Sequence, residues 1–310
     1  MKKLMFGLAV AGLCTAVSAV ESQIVGYATK SAPKSTFRLA TVSFQSVDGT
    51  YKIQDLLPMN TEVEYDEGDP EAFLTTAPHI QVQKADGDYF TYWYLKNAQY
   101  SDDGWETTKT KPGWADEWGY YCFPEGYNED EPMMGDCLGP GVVTPGAAIW
   151  FKDQEKIGAL LTNGQIDPKD VEIDCPTGFR LRGAAHPVEV WLNNPEQVTF
   201  SDLAEVEYDE GDPEAFLTTA PHIQVQKADG DYFTYWYLKN AQYSDDGWET
   251  TKTKPGWADE WGYYCFPEGY NEDEPMMGDC LGPATIPVTH GIWTKGVSKT
   301  FNMKFISPVK

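Results

Sequence analysis

A 79-residue segment that occurs twice constrains this chain more than any other feature of its sequence. Residues 62–140 recur at 205–283 without a substitution, so each residue has its duplicate 143 positions later. The two copies make up half of the 310 residues. A segment repeated in this way is typical of repeated folding units. We therefore predict two equivalent modules that present the same surface twice.

The correspondence extends beyond the copied segment and indicates where the domains end. Ile149-Trp150 is matched by Ile292-Trp293 at the same offset, and Phe37-Arg38-Leu39 is matched by Phe179-Arg180-Leu181. We predict an N-terminal segment at 20–35, a first β-domain at 36–167 and a second at 168–310. The second half then has about 143 residues, which is an ordinary domain size.

The first 19 residues have the pattern of a secretory signal peptide. Lys2 and Lys3 precede an apolar run from Leu4 to Ala16, and Val17-Ser18-Ala19 provides small residues for cleavage. No later stretch approaches the roughly 20 apolar residues that a membrane span needs. The sequence therefore predicts a protein that is secreted to the periplasm, cell surface or exterior and does not span a membrane.

The cysteines fit an oxidising compartment. Each copy of the repeat holds one pair separated by 15 positions, which predicts the disulfides Cys122–Cys137 and Cys265–Cys280. A bridge across a loop of this size stabilises the fold by roughly 3 kcal/mol in the loop-entropy model. Cys175 has no counterpart in the first half, so it is either a buried free thiol or an intermolecular link.

Acidity is concentrated in the repeat. Each copy holds 18 acidic residues and 4 lysines, so two copies carry −28 while the whole chain carries −25. A field of this sign repels nucleic acid and attracts cations or basic surfaces. Nucleic acid is therefore excluded as a partner.

The local pattern is that of an all-β protein, with two tandem β-sandwich or partly open barrel domains and long irregular acidic loops. The alternation from Ile80, the turn pair Asp86-Gly87 and the aromatic run 89–95 predict a β-hairpin with a type I′ turn. We predict a further strand at 118–123. An irregular loop is expected at 101–115, between the hairpin and that strand.

The chain resembles a group of uncharacterised secreted bacterial proteins. The resemblance rests on the signal peptide, the opening Glu21-Ser-Gln-Ile-Val-Gly-Tyr27, and domains that each close on a strand like Gly146–Lys152. It covers the opening and the strand framework but not the acidic aromatic block. It implies repeated β-domains and carries over no functional residues.

No catalytic motif is present in the sequence. Both the Gly-x-Ser-x-Gly elbow and the His-Glu-x-x-His zinc motif are missing. Pairs of carboxylates that could serve a glycosidase arise by chance among so many acids. We therefore predict a non-enzymatic binding or structural protein, and a glycoside-active enzyme is the least favoured reading.

Calcium is the one cofactor that the acidic loops suggest, because hard cations prefer several carboxylate and carbonyl oxygens. A solvated acidic face that keeps the protein soluble is the alternative. Acidic residues form three clusters in each copy of the repeat, at 66–69, 102–103 and 129–131 in the first copy. The candidate ligands are Asp66, Asp69, Asp102 and Asp103, and their duplicates Asp209, Asp212, Asp245 and Asp246.

Carbohydrate binding is the most specific functional hypothesis, with polysaccharide or envelope components as partners. Sugars stack on exposed aromatic rings, and repeated modules add avidity. The candidates are the tryptophans of the expected loop, Trp105 and Trp114, with Trp248 and Trp257 in the second copy. We assign Trp93, Trp118, Trp150 and Trp293 to the core, where aromatic residues of β-domains usually lie. A structural or adhesive surface protein is the competing class, and burial of the candidate rings would favour it.

Overall fold

A computed structural model describes residues 25–46, 48–59, 62–101, 107–123, 141–144, 146–154, 158–244, 250–266, 280 and 284–309. Over these residues the chain is all-β, and its strands form several antiparallel sheets. The predicted fold class is therefore confirmed.

The first half of the chain contributes eight strands and one short helix within the described residues. They are β1 (Val25–Ala32), β2 (Arg38–Thr41), β3 (Leu56–Pro58), α1 (Ala72–Thr76), β4 (His79–Gln83), β5 (Tyr89–Tyr100), β6 (Lys109–Ala115), β7 (Ala148–Lys152) and β8 (Gly158–Gln165). A single 3-10 turn, Ile53–Asp55, leads into β3.

The second half repeats this order with additions. Its elements are β9 (Val171–Cys175), β10 (Gly178–Gly183), β11 (Val190–Trp191), β12 (Val198–Ser201), α2 (Ala215–Thr219), β13 (His222–Gln226), β14 (Tyr232–Tyr243), β15 (Lys252–Ala258), β16 (Thr285–Ile286), β17 (Gly291–Gly296) and β18 (Phe301–Phe305).

Each half forms a three-stranded and a five-stranded sheet. In the first half the orders are β1-β8-β3 and β2-β7-β4-β5-β6, and in the second half they are β9-β18-β12 and β10-β17-β13-β14-β15. Strands β11 and β16 form an additional two-stranded sheet. Strand β1 pairs with β8 along its whole length, so the segment before residue 36 completes the three-stranded sheet of the first half.

A hydrophobic core lies between the two sheets of each half. In the first half it joins Leu56 and Leu160 of the small sheet to Ile80, Tyr92 and Trp114 of the large one. The other face of β5 is covered too, because Phe73 and Ala77 of the α1 region pack on Leu95. Strand β5 is aromatic on both faces because both faces are packed.

The predicted hairpin is confirmed, but its turn is not of type I′. Lys84 and Asp88 close the loop between β4 and β5, with Gly87 N donating to Lys84 O at 3.1 Å. Gly87 has φ +104°, whereas Asp86 is not among the residues with positive φ. A type I′ turn needs positive φ at both central residues.

Two expectations about 101–123 are wrong. Residues 109–115, expected to be loop, form strand β6, where Pro112 is tolerated because β6 lies at the sheet edge. Residues 118–123, expected to be a strand, contain only isolated bridges at Tyr120 and Tyr121. The chain forms a turn at 116–120 and does not continue as the expected strand.

The two halves meet through two sets of reciprocal contacts. Arg38 Nη2 donates to Ala228 O at 2.9 Å, and Arg180 Nη2 donates to Ala85 O at 2.6 Å. Each arginine thus reaches the β-hairpin turn of the opposite half. The Leu39 and Leu181 amides likewise donate to Gln226 Oε1 and Gln83 Oε1, at 3.1 and 2.9 Å.

The disulfide Cys265–Cys280 is present, as predicted, and Cys175 is a buried free thiol. The pair Cys122–Cys137 includes Cys137, which lies outside the described residues, as does the predicted signal peptide. No helix of the described ranges is long and apolar enough to cross a membrane.

Candidate functional site

The most exposed tryptophans of the described chain lie on one duplicated turn. Trp118 is 60% exposed and Trp261 is 61% exposed. Both follow an Asp-Glu pair and precede glycine, in Asp116–Gly119 and Asp259–Gly262. Sequence reasoning assigned Trp118 to the core, and this assignment is wrong.

The carboxylate of Asp116 holds this turn in shape. Its Oδ1 accepts the backbone N–H groups of Trp118 and Tyr120, at 2.9 and 3.0 Å. Asp116 itself is buried, and Gly119 N donates to its carbonyl at 3.0 Å. The same bonds recur around Asp259, at 3.0 and 2.9 Å. The exposed indole is therefore carried on a fixed backbone.

Gly119 allows the turn to lie against a tyrosine ring. Its φ is +81°, and a Cβ at this position would lie 2.5 Å from the ring of Tyr65. Tyr65 is anchored in turn, because its N–H donates to Asn97 Oδ1 at 2.6 Å while Asn97 Nδ2 donates back to its carbonyl. Gln99 N donates to Gly119 O at 2.8 Å and ties the turn to β5.

Polar groups surround the same turn. Burial, with Tyr120 and Glu67 nearby, raises the pKa of Tyr65. In the second copy, burial, Tyr208 and Asp259 raise the pKa of Tyr263. The raised pKa keeps the Tyr65 and Tyr263 hydroxyls protonated, so both can donate hydrogen bonds. We call Trp118, Tyr65, Tyr120 and Glu67 the Trp118 patch, and their duplicates Trp261, Tyr208, Tyr263 and Glu210 the Trp261 patch.

Other aromatic rings near this turn are occupied by the protein itself. The Lys111 ammonium lies over the rings of Tyr100, Tyr121 and Phe123, at 4.6, 3.7 and 4.0 Å from their centroids. Burial lowers the pKa of Lys111. Because the lysine covers these rings, they are less available to a ligand than Trp118.

The structure separates the tryptophans that the sequence grouped as ligand contacts. Trp114 lies in β6 and is fully buried, with Nε1 donating to Leu56 O at 2.6 Å. Trp257 is equally buried, and it packs on Phe200 with ring centroids 5.0 Å apart. A ring with no exposed face offers no stacking surface, so burial favours a structural role for both. Trp105 and Trp248 lie outside the described residues.

The candidate calcium ligands are also divided. Asp66 and Asp69 lie on an exposed loop, where Asp66 Oδ1 accepts Gly68 N at 2.8 Å, and Asp209 does the same for Gly211. Within the described ranges, no group of three or more His, Cys, Asp or Glu side chains is arranged to hold a metal. Asp102, Asp103, Asp245 and Asp246 lie outside those ranges, so calcium binding stays a prediction.

A cleft in the first half is a second candidate site. It is lined by Ser46, Asp48, Lys52, Asp55 and Asn163. Hydrogen bonds from Lys52 and Thr50 lower the pKa of Asp48 to about 2. A glycosidase acid needs a raised pKa, so Asp48 does not supply one.

The signal that could have identified Trp118 is a turn signature. Aspartate at the first position and glycine at the fourth are typical of a β-turn, and Asp116-Glu-Trp-Gly119 has both.

Comparison with protein-family models, with curated proteins and with solved structures finds no match to this chain.

Proposed function

We propose that this chain is a secreted, non-enzymatic binding protein that presents one carbohydrate-binding surface twice, at the Trp118 patch and the Trp261 patch. The observation that carries the proposal is the exposure of Trp118 and Trp261 on a turn whose backbone is fixed. An indole left in water forgoes the gain of roughly 2–3 kcal/mol that burial of a large apolar side chain gives. A ligand that covers the ring recovers part of this free energy.

The chemistry around the ring favours a sugar over a purely apolar ligand. Sugars present a C–H face to an aromatic ring and hydroxyls to the polar groups around it. The tyrosine hydroxyls of the patch and the exposed carboxylate of Glu67 supply those polar groups. Binding sites commonly combine apolar area with a few convergent polar groups in this way. Two copies in one chain would add avidity for a polymer.

The experiment measures binding to a panel of soluble polysaccharides by affinity electrophoresis. We expect Trp118→Ala and Trp261→Ala each to weaken retention, and the double variant to lose it, because the two sites act together on one polymer. Tyr27→Ala is the matched control, since Tyr27 is 78% exposed but lies outside the repeat.

Two results would contradict the proposal. One is retention of the double variant equal to that of the unmodified chain. The other is no retention of the unmodified chain by any polysaccharide of the panel, which would favour the structural or adhesive reading. Cell fractionation, with and without polysaccharide in the wash, tests the predicted secretion separately.

A further inference from the structure

The two halves of the chain meet through a buried apolar interface, which we call the junction. Leu39 and Ala148 of the first half pack with Leu181 of the second half, and none of the three is more than 2% exposed. Trp150 and Trp293 border this cluster, with their ring centroids 6.2 Å apart. Because the interface is closely packed, the size of each residue in it decides which surfaces can form the junction.

The hydrogen bonds made by the Phe-Arg-Leu segments across the junction are the same in both directions. Arg38 and Arg180 each donate to a hairpin turn of the other half, and the amides of Leu39 and Leu181 each donate to a glutamine. All four acceptors belong to the repeat, whose two copies are identical. These bonds therefore cannot distinguish the unlike half from another copy of the same half.

Two steric contacts do distinguish the halves. Gly183 corresponds to Thr41 in the matched Phe-Arg-Leu segments, and a Cβ at Gly183 would lie 1.9 Å from Thr41 Oγ1. Gly291 corresponds to Ala148 at the offset of 143, and a Cβ at Gly291 would lie 2.7 Å from Ala148 Cβ. At both places the first half has the larger residue and the second half has a glycine that receives it.

The local backbone does not explain these two glycines. Neither Gly183 nor Gly291 is among the glycines with positive φ, so a residue with a side chain could adopt either conformation. The three atoms nearest to each of their Cβ positions all belong to the first half, to Thr41 for one glycine and to Ala148, Ala40 and Leu39 for the other. The second half therefore has glycine at these positions because the first half occupies the space.

We propose that the junction discriminates between like and unlike halves, so that each half accepts the unlike half as its partner and rejects a copy of itself. Two first halves would place Thr41 against Thr41 and Ala148 against Ala148, which overpacks the interface. Two second halves would place glycine against glycine and leave cavities. Only unlike halves put one larger residue and one glycine at each contact. Association of copies through like halves is thereby disfavoured, although both halves carry the same repeat.

The test compares four full-length chains by thermal unfolding. Gly183→Thr with Gly291→Ala gives both halves the larger residues, and Thr41→Gly with Ala148→Gly gives both halves the glycines. The third variant carries all four substitutions and so exchanges the two faces. We expect the chain with two large faces to lose several degrees of its unfolding midpoint and the chain with two small faces to lose less. The exchanged chain should recover most of both losses, because each contact again joins one larger residue to one glycine.

The exchanged chain decides the outcome. A loss in it equal to the sum of the losses in the other two variants would overturn the proposal. If the chain with two large faces does not fold, folding of the exchanged chain supports the proposal and its failure to fold overturns it. Gly211→Ala is the matched control, since Gly211 lies on an exposed loop and the nearest atom to its Cβ position, at 3.2 Å, belongs to Asp209 of the same loop. It should leave the midpoint unchanged.

Discussion

At the scale of single residues, the duplicated tryptophans of the large sheets have identical sequence neighbours but different surroundings. Trp114 Nε1 donates to Leu56 O, whereas Trp257 Nε1 is buried without a hydrogen-bond partner among the described residues. The difference comes from residues outside the repeat, because Leu56 belongs to β3 of the first half. The two indoles therefore allow a site with a buried hydrogen bond to be compared with an equivalent site that lacks it.

We predict that Trp114→Phe destabilises the protein more than Trp257→Phe does, by roughly 1–2 kcal/mol. Both substitutions remove the same volume, but only the first loses a buried hydrogen bond and leaves its acceptor with one partner fewer. Urea unfolding followed by circular dichroism measures the difference. Equal losses of stability in the two variants would show that the Trp114 bond contributes nothing net.

At the scale of elements, the turn 116–120 depends on a glycine for two separate reasons. Gly119 has φ +81°, and the Tyr65 ring occupies the place of a Cβ. Gly49 has a similar φ of +84° but nothing within 4 Å of its Cβ position. Comparing substitutions at Gly49 and Gly119 therefore separates the cost of the left-handed backbone from the cost of the steric contact with Tyr65.

We predict that Gly49→Ala costs about 1–2 kcal/mol of stability, from the left-handed backbone alone. Gly119→Ala should cost at least about 1 kcal/mol more, since Tyr65 must also move. Because this movement disturbs the Trp118 patch, Gly119→Ala should weaken polysaccharide retention and Gly49→Ala should not. Thermal unfolding measures the loss of stability, and affinity electrophoresis measures the loss of polysaccharide retention. An equal loss of stability in Gly49→Ala and Gly119→Ala would exclude a steric role for Tyr65.

The elements also show which features the sequence could predict. The β4–β5 hairpin could be predicted because its signals, alternating apolar residues followed by a turn pair, lie close together in the sequence. Strand β6 was not predicted because Pro112 and Gly113 interrupt it, and both are explained only by tertiary structure. Pro112 lies on an edge strand, and Gly113 leaves room for the Tyr121 ring, 2.2 Å from a Cβ built there. Trp118 was assigned to the core because aromatic residues of β-domains usually lie there. The sequence alone does not reveal which side of a turn faces water.

At the scale of the whole molecule, contacts between the halves depend on residues that the repeat does not contain. Arg38 and Arg180 lie outside the copied segment, and each bonds to a hairpin turn inside it. The reciprocal contacts therefore depend jointly on divergent and identical parts of the chain. The two halves also differ where Lys30 and His290 correspond in sequence, at the offset of 143, to the apolar residues Ile173 and Ala147.

All four histidines of the chain are buried enough for their pKa to be lowered. Burial lowers the pKa of His79 and of His290 to about 4, and that of His186 and His222 in the same direction. An unfolded histidine has a pKa of about 6.5. Between these values the unfolded state binds more protons than the native state, so stability falls as pH falls from 6.5 towards 4.

We predict that acidification from pH 7 to pH 4.5 lowers the free energy of unfolding, with a contribution of about 2–3 kcal/mol from His79 alone. His79 lies between the rings of Phe37 and Trp93, at 5.3 and 6.2 Å, so phenylalanine fits its surroundings. His79→Phe should therefore lose less stability on acidification than the unmodified chain, as measured by urea unfolding at both pH values. The two chains share all of their carboxylates, so the contribution of carboxylate titration cancels in the comparison between them. A loss as large in His79→Phe as in the unmodified chain would mean that His79 does not contribute to acid sensitivity.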